Sequence, residues 1–119
     1  MTEKRRGSTT RGFRVDCREE GDALIVECHG RLIFGNTQAL KDGVKERIPG
    51  HKRLVLDMME VPQVDSSGLG TVVGLYVSGR TRGCRLELRN ASEQIRAMFS
   101  VTNLLSLFEV AGRYHGKTI

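Results

Sequence analysis

With 119 residues, 39% of them hydrophobic in type, the chain suits one compact domain and leaves no length for a second. It has no Trp and only 5% aromatic residues, which excludes a surface of stacked bases and rests the core on Leu, Val and Ile. The net charge of +5 is local: Lys4, Arg5, Arg6, Arg11 and Arg14 against Glu3 put +4 of it in the first fourteen residues, so the body of the chain is close to neutral.

Residues 1–12 combine that charge with Gly7, Ser8, Thr9, Thr10 and Gly12 and no apolar period. They read as a disordered basic arm ahead of a domain over 13–119. The alternation from Phe13 to Cys17 predicts a strand, Glu20-Gly21-Asp22 a turn, and Ala23 to Cys28 a second strand, so the chain opens on a hairpin. A connection over Gly30 to Gly35 leads to Asn36 as N-cap. Leu40, Val44 and Ile48 then line a helix that Pro49-Gly50 stops. Leu54 to Met58 predicts the third strand, and a helix from Ser66 to Arg80 follows with Leu69, Val72, Val73, Tyr76 and Val77 as its stripe. Cys84 to Arg89 alternates strictly, with Cys84, Leu86 and Leu88 inward, as a strand buried on one face requires. Asn90-Ala91-Ser92-Glu93 resembles a capping box, with Asn90 as cap, for a third helix striped by Ile95, Met98, Phe99 and Thr102. Leu107 to Val110 predicts a last strand, and no period organises Ala111 to Gly116. The order β-β-α-β-α-β-α-β calls for an α/β single domain, a mixed β-sheet with helices packed mainly on one face through right-handed crossovers.

The chemistry-bearing residues converge on no catalytic set. Cys17, Cys28 and Cys84 are odd in number and lack CxxC or zinc-type spacing, which fits a reduced, cytoplasmic setting. The N-terminus has no apolar core of a signal peptide, and no apolar run approaches the roughly 20 residues of a membrane span. His29, His51 and His115 share no helix face, so no metal and no cofactor are expected, and His51 reads as solvated. Gly68-Leu69-Gly70 lacks the third glycine of a dinucleotide loop, and Val64 stands where a nucleophile elbow has its first glycine. Neither Asp57 nor Asp65 has a His nearby in sequence. The basic arm reads as a solvated tail in preference to a nucleic-acid contact, and Arg80, Arg82, Arg85 and Arg89 as a solvated rim.

What remains is Val64-Asp65-Ser66-Ser67-Gly68-Leu69-Gly70, where a strand gives way to a helix. Asp65 or Ser66 sits at the N-cap, where a side-chain oxygen accepts a free backbone N–H. A helix N-terminus also favours an added anion. A phosphate there would add about −1.5 to −2 charges, favoured by the helix dipole and opposed by Asp65. The residues describe either a plain cap or a phosphoswitch at an interface, with Ser66, or alternatively Ser67, as the acceptor.

At this motif the chain resembles the STAS domains, and most closely the small bacterial anti-sigma factor antagonists. Leu54-Val55-Leu56-Asp57 ahead of the Asp-Ser-Ser-Gly segment is similar to their strand-loop-helix signature. Gly30-Arg31-Leu32 opening toward Thr37, Ala39 and Leu40 resembles the stretch before their first helix. Ile95-Arg96-Ala97-Met98-Phe99 with Leu104-Leu105 and Leu107-Phe108 resembles the third helix and last strand, so the likeness covers about residues 13–110. It implies partner switching by a non-catalytic protein. Unphosphorylated, such a protein binds an anti-sigma factor and thereby releases a sigma factor for transcription. The anti-sigma factor is often a serine kinase with a histidine-kinase-like fold, which phosphorylates the first Ser, here Ser66, and ends the complex; a serine phosphatase resets it. Asp65, Ser66, Ser67, Gly68, Leu69 and Gly70 would form the docking segment, the two glycines letting the partner's backbone approach. Two departures stand out: Ile33 occupies a position where the family usually has Asp, and the chain ends at Ile119 after a glycine-containing tail where a fourth helix is common. Ile33 favours the alternative, a scaffold subunit of a stressosome-like or lipid-transport complex in which Ser66 is only a cap.

Overall fold

Alternating apolar side chains in successive segments build a sheet with one continuous apolar face, and the helices between them supply its cover. The computed structural model describes residues 6–10, 12–101 and 109–111. The elements are β1 (Arg6–Thr10), β2 (Phe13–Glu20), β3 (Ala23–Gly30), α1 (Gln38–Val44) with a 3-10 turn at Lys45–Arg47, β4 (Arg53–Glu60), α2 (Ser66–Arg80), β5 (Arg85–Arg89), α3 (Glu93–Val101) and β6 (Glu109–Ala111). They form one mixed sheet in the order β1-β2-β3-β4-β5-β6. The first three strands are antiparallel neighbours, and β3 through β6 are parallel neighbours, with α1, α2 and α3 falling in turn between them in the chain. The predicted architecture is therefore present, with one further strand at its start.

Register explains the core. Cys17, Val26, Leu56 and Leu88 stand side by side across β2 to β5, and Leu24, Leu54 and Leu86 form the next row. These rows pack with Leu40 and Val44 of α1, Val72 and Leu75 of α2, and Ile95 and Phe99 of α3 in one buried cluster, so all three helices cover the same face. On the opposite face Ala23, Ile25 and Val55 form a smaller buried group. Beside it run ion pairs: Arg53 Nη2 to Glu87 Oε1 at 2.7 Å, Arg89 Nη2 to Glu87 Oε2 at 3.2 Å, and Arg18 Nη1 to Glu27 Oε2 at 2.6 Å.

Three expectations about the elements are corrected first. Arg6–Thr10 is not a disordered arm but an antiparallel strand on the edge of the sheet, paired from Arg6 opposite Cys17 to Thr10 opposite Phe13. Strand pairing runs through the backbone, so a small, polar segment shows no apolar period. The tight return is made at Gly12, whose φ of 71° suits glycine. The residue preceding α1 is Thr37, without a side-chain cap, while Asn36 Oδ1 accepts the Ile33 N–H at 2.8 Å. The α3 cap is Ser92, whose Oγ accepts the Ile95 N–H at 3.2 Å. Asn90 instead adopts a φ of 62° and donates from Nδ2 to Asp57 Oδ1 at 3.1 Å.

Helix α2 has the predicted bounds but buries a neighbouring face: Gly68, Thr71, Val72, Leu75 and Gly79 are inside, and Val77 is 52% exposed. A Cβ on Gly79 would lie 2.7 Å from the Cys84 carbonyl oxygen, so the helix seats on that loop only where a side chain is missing. Thr102, Leu107, Phe108 and the tail over 112–119 lie outside the described residues.

Candidate functional site

Two loops at one end of the sheet are stitched together by backbone hydrogen bonds. Leu32 and Val64 form an isolated parallel bridge. The Leu32 N–H donates to the Gln63 carbonyl at 2.9 Å, and the Asp65 N–H to the Leu32 carbonyl at 3.3 Å. Asp65, with extended backbone (φ −105°, ψ −171°), is the N-cap of α2. Its Oδ1 accepts the N–H groups of Ser67 at 2.9 Å and Gly68 at 3.0 Å. Its Oδ2 reaches across to accept the Phe34 N–H at 2.9 Å. One carboxylate thus caps a helix and fixes the loop ahead of α1. The Phe34 N–H first, then those of Gly68 and Ser67, hold its carboxyl below the usual range.

The six residues of the predicted docking segment separate by exposure. Ser66 is the first residue of α2 and is exposed; the cap is Asp65, not Ser66. Ser67 is half-buried, and its carbonyl accepts a hydrogen bond from Thr71 Oγ1 at 3.0 Å. Leu69 is half-buried against the core. Gly68 is buried: a Cβ there would lie 2.2 Å from the Leu32 carbonyl oxygen and 2.9 Å from Val64 Cγ1. The absent side chain makes room for the chain's own loop, which corrects the expectation of a partner's backbone at Gly68. Gly70 is exposed with open space beyond it.

Sequence reasoning missed the largest exposed side chain of the site. Phe34 is 82% exposed, in a turn that Ile33 and Asn36 close by hydrogen bonds in both directions, at 2.8 and 3.0 Å. An aromatic alone in a connection rich in glycine and polar residues was the available signal. From Phe34 a cleft of about 630 Å³ runs between α1 and α2, past Lys41 and Lys45 on one wall and Ser67, Gly70 and Gly74 on the other.

Other titratable groups meet outside this site. Asp16, Glu27 and His29 bring ligand-type atoms within 4.8 Å of one another, a grouping that their separation in sequence concealed. Cations already face both carboxylates: Arg14 lies 3.7 Å from Asp16 and Arg18 2.6 Å from Glu27. His51, expected to be solvated, is largely buried, with Nδ1 2.6 Å from the Arg47 carbonyl and Nε2 3.0 Å from Glu19 Oε2. All three cysteines are buried free thiols, and burial raises the pKa of each, which leaves them poor nucleophiles. Among the described residues, no helix is long and apolar enough to cross a membrane.

A family model described as the STAS domain matches residues 14–116. A STAS-domain containing protein of Pseudomonas aeruginosa is 26% identical over 77% of this chain and 91% of its own length. The anti-sigma-B factor antagonist of Bacillus subtilis is 24% identical over 87% of this chain and 95% of its own. Among solved structures, the anti-sigma factor antagonist SpoIIAA in its unphosphorylated form aligns with a TM-score of 0.70 and 18% identity, covering 82% of this chain and 87% of that one.

Proposed function

Since the chain belongs to the STAS domain family, we propose that it is a non-catalytic anti-sigma factor antagonist switched by phosphorylation of Ser66. In the unphosphorylated state it binds, in the cytoplasm, an anti-sigma factor that is also a serine kinase of histidine-kinase-like fold, and a sigma factor is released. The kinase modifies Ser66 and the complex ends; a serine phosphatase restores it. The relatives named as anti-sigma factor antagonists support the general role.

The observation that carries the reading is the pairing of an exposed Ser66 with a fully engaged Asp65. A hydroxyl at the first position of a helix is open to a kinase. The N–H groups of Ser67 and Gly68, which would receive a phosphate, are already taken by Asp65 Oδ1. About −1.5 to −2 added charges beside that carboxylate gain nothing from those two donors, so they act on whatever docks at the surface. Phosphorylation changes the interface and leaves the fold in place.

The test is a pull-down from native lysate with wild type, Ser66→Ala and Ser66→Asp as baits, read by mass spectrometry. The reading predicts a histidine-kinase-like serine kinase held by wild type and Ser66→Ala and lost with Ser66→Asp. Equal recovery by all three baits, or recovery of other STAS proteins alone, would instead leave Ser66 as no more than the first residue of α2. The chain would then be a scaffold subunit, the reading that Ile33 favours.

A further inference from the structure

We infer that the cleft between α1 and α2 receives an acidic, amphipathic helix of the partner protein, with Phe34 as the anchor that fixes its position. The inference rests on the proposed function and names the chemistry that the partner must bring.

Three features converge on that occupant. The first is an apolar knob on a fixed stretch of backbone: Phe34 is 82% exposed, while its N–H is held by Asp65 and its turn is closed by Ile33 and Asn36. A socket that closes over an aromatic carried this way has only its side chain left to order, which suits a binding hot spot. The second is a floor without side chains. Gly70 and Gly74 lie one turn apart on α2, and a Cβ on either would meet nothing within 4 Å. A partner helix can therefore approach α2 closely. From Ser67 to Ser78 the lined wall spans about 16 Å of helix axis, room for about three turns of a partner helix.

The third feature is charge. Lys41 on α1 and Lys45 at its C-cap stand four residues apart, both exposed, and among the described residues neither forms an ion pair. The neighbouring acid on the same helix, Asp42, is held by Gln38 Nε2 at 2.7 Å and does not line the cleft. Two cations without an ion-pair partner among the described residues, along one wall, call for carboxylates at matching spacing. The same arrangement accounts for the sign of the switch. Ser67 lines the cleft and Ser66 adjoins it, so a phosphate adds negative charge where an acidic segment must enter.

The test places p-benzoyl-phenylalanine at position 34 in a Ser66→Ala chain and, in parallel, in a Ser66→Asp chain. After irradiation in native lysate, the crosslinked peptide is identified by mass spectrometry. The inference predicts a crosslink to a helical segment of net negative charge, formed with Ser66→Ala and lost with Ser66→Asp. The partner so identified is then purified, and Lys41→Glu with Lys45→Glu weakens its binding about tenfold or more, most at low salt. A Ser66-dependent complex whose crosslink falls on a basic or non-helical segment, or whose affinity ignores both lysines, overturns this inference alone. A crosslink to a second copy of this chain does the same. A complex indifferent to position 66 overturns the proposed function and this inference with it. Circular dichroism of each variant controls for folding.

Discussion

Asp65 carries three hydrogen bonds on one side chain, so its removal acts on two loops together. Asp65→Ala should cost about 1–2 kcal/mol in urea unfolding, the range of a lost N-cap. The carboxyl titrates below its ordinary value of 3.8, because the Phe34, Gly68 and Ser67 N–H groups favour its charged form. Its contribution is therefore fully present above that value and is lost as pH falls through the lower, folded value. The stability gap between wild type and Asp65→Asn should accordingly narrow on the acid side of 3.8 and stay constant above it; a gap that widens in acid would contradict the assignment. The two glycines of the motif separate in the same way. Gly68→Ala drives a methyl into the Leu32 carbonyl and should cost about 1–3 kcal/mol, whereas Gly70→Ala faces open space and should stabilise α2 by up to about 1 kcal/mol. The cap was legible from residue types and spacing. The division of labour between the glycines was not, because a residue without a side chain carries no sign of what lies against it.

At the scale of elements, α2 shows where a hydrophobic pattern misleads. The predicted stripe marks Leu69, Val72, Val73, Tyr76 and Val77, yet the buried face runs through Gly68, Thr71, Val72, Leu75 and Gly79 and shares only Val72 with it. Hydropathy counts glycine as silent, but here Gly68 and Gly79 are the points of closest approach and so select the face. Leu75→Ala should cost about 2–5 kcal/mol in thermal or urea unfolding, and Val77→Ala should change stability by no more than about 0.5 kcal/mol. Similar losses at both positions would put the wrong face inside. Strand β1 is the second lesson at this scale. Its polar residues announce nothing, since pairing with β2 needs only backbone groups and the turn at Gly12. Deleting residues 1–10 should accelerate amide exchange in β2 while the α2 amides keep their protection.

For the whole molecule, alternating strands and helices after an opening hairpin left few topologies, and the mixed sheet with three helices on one face followed from that order. Phe34 escaped notice because its place in the site depends on Asp65, far along the chain, reaching back to hold its N–H. Long-range hydrogen bonds of that kind leave no periodic trace. The resulting surface joins an exposed hydroxyl, an aromatic on a held turn and a lysine-lined cleft at one end of the sheet. On this account Ser66→Asp retains the thermal transition of wild type and loses the partner. The most direct measurement mixes the purified chain with its captured kinase and ATP, locates the phosphate by tandem mass spectrometry, and follows the complex by size-exclusion chromatography. The account predicts a single phosphate on Ser66 and dissolution of the complex as it accumulates; a phosphate placed elsewhere, or a complex that survives full modification, would contradict it.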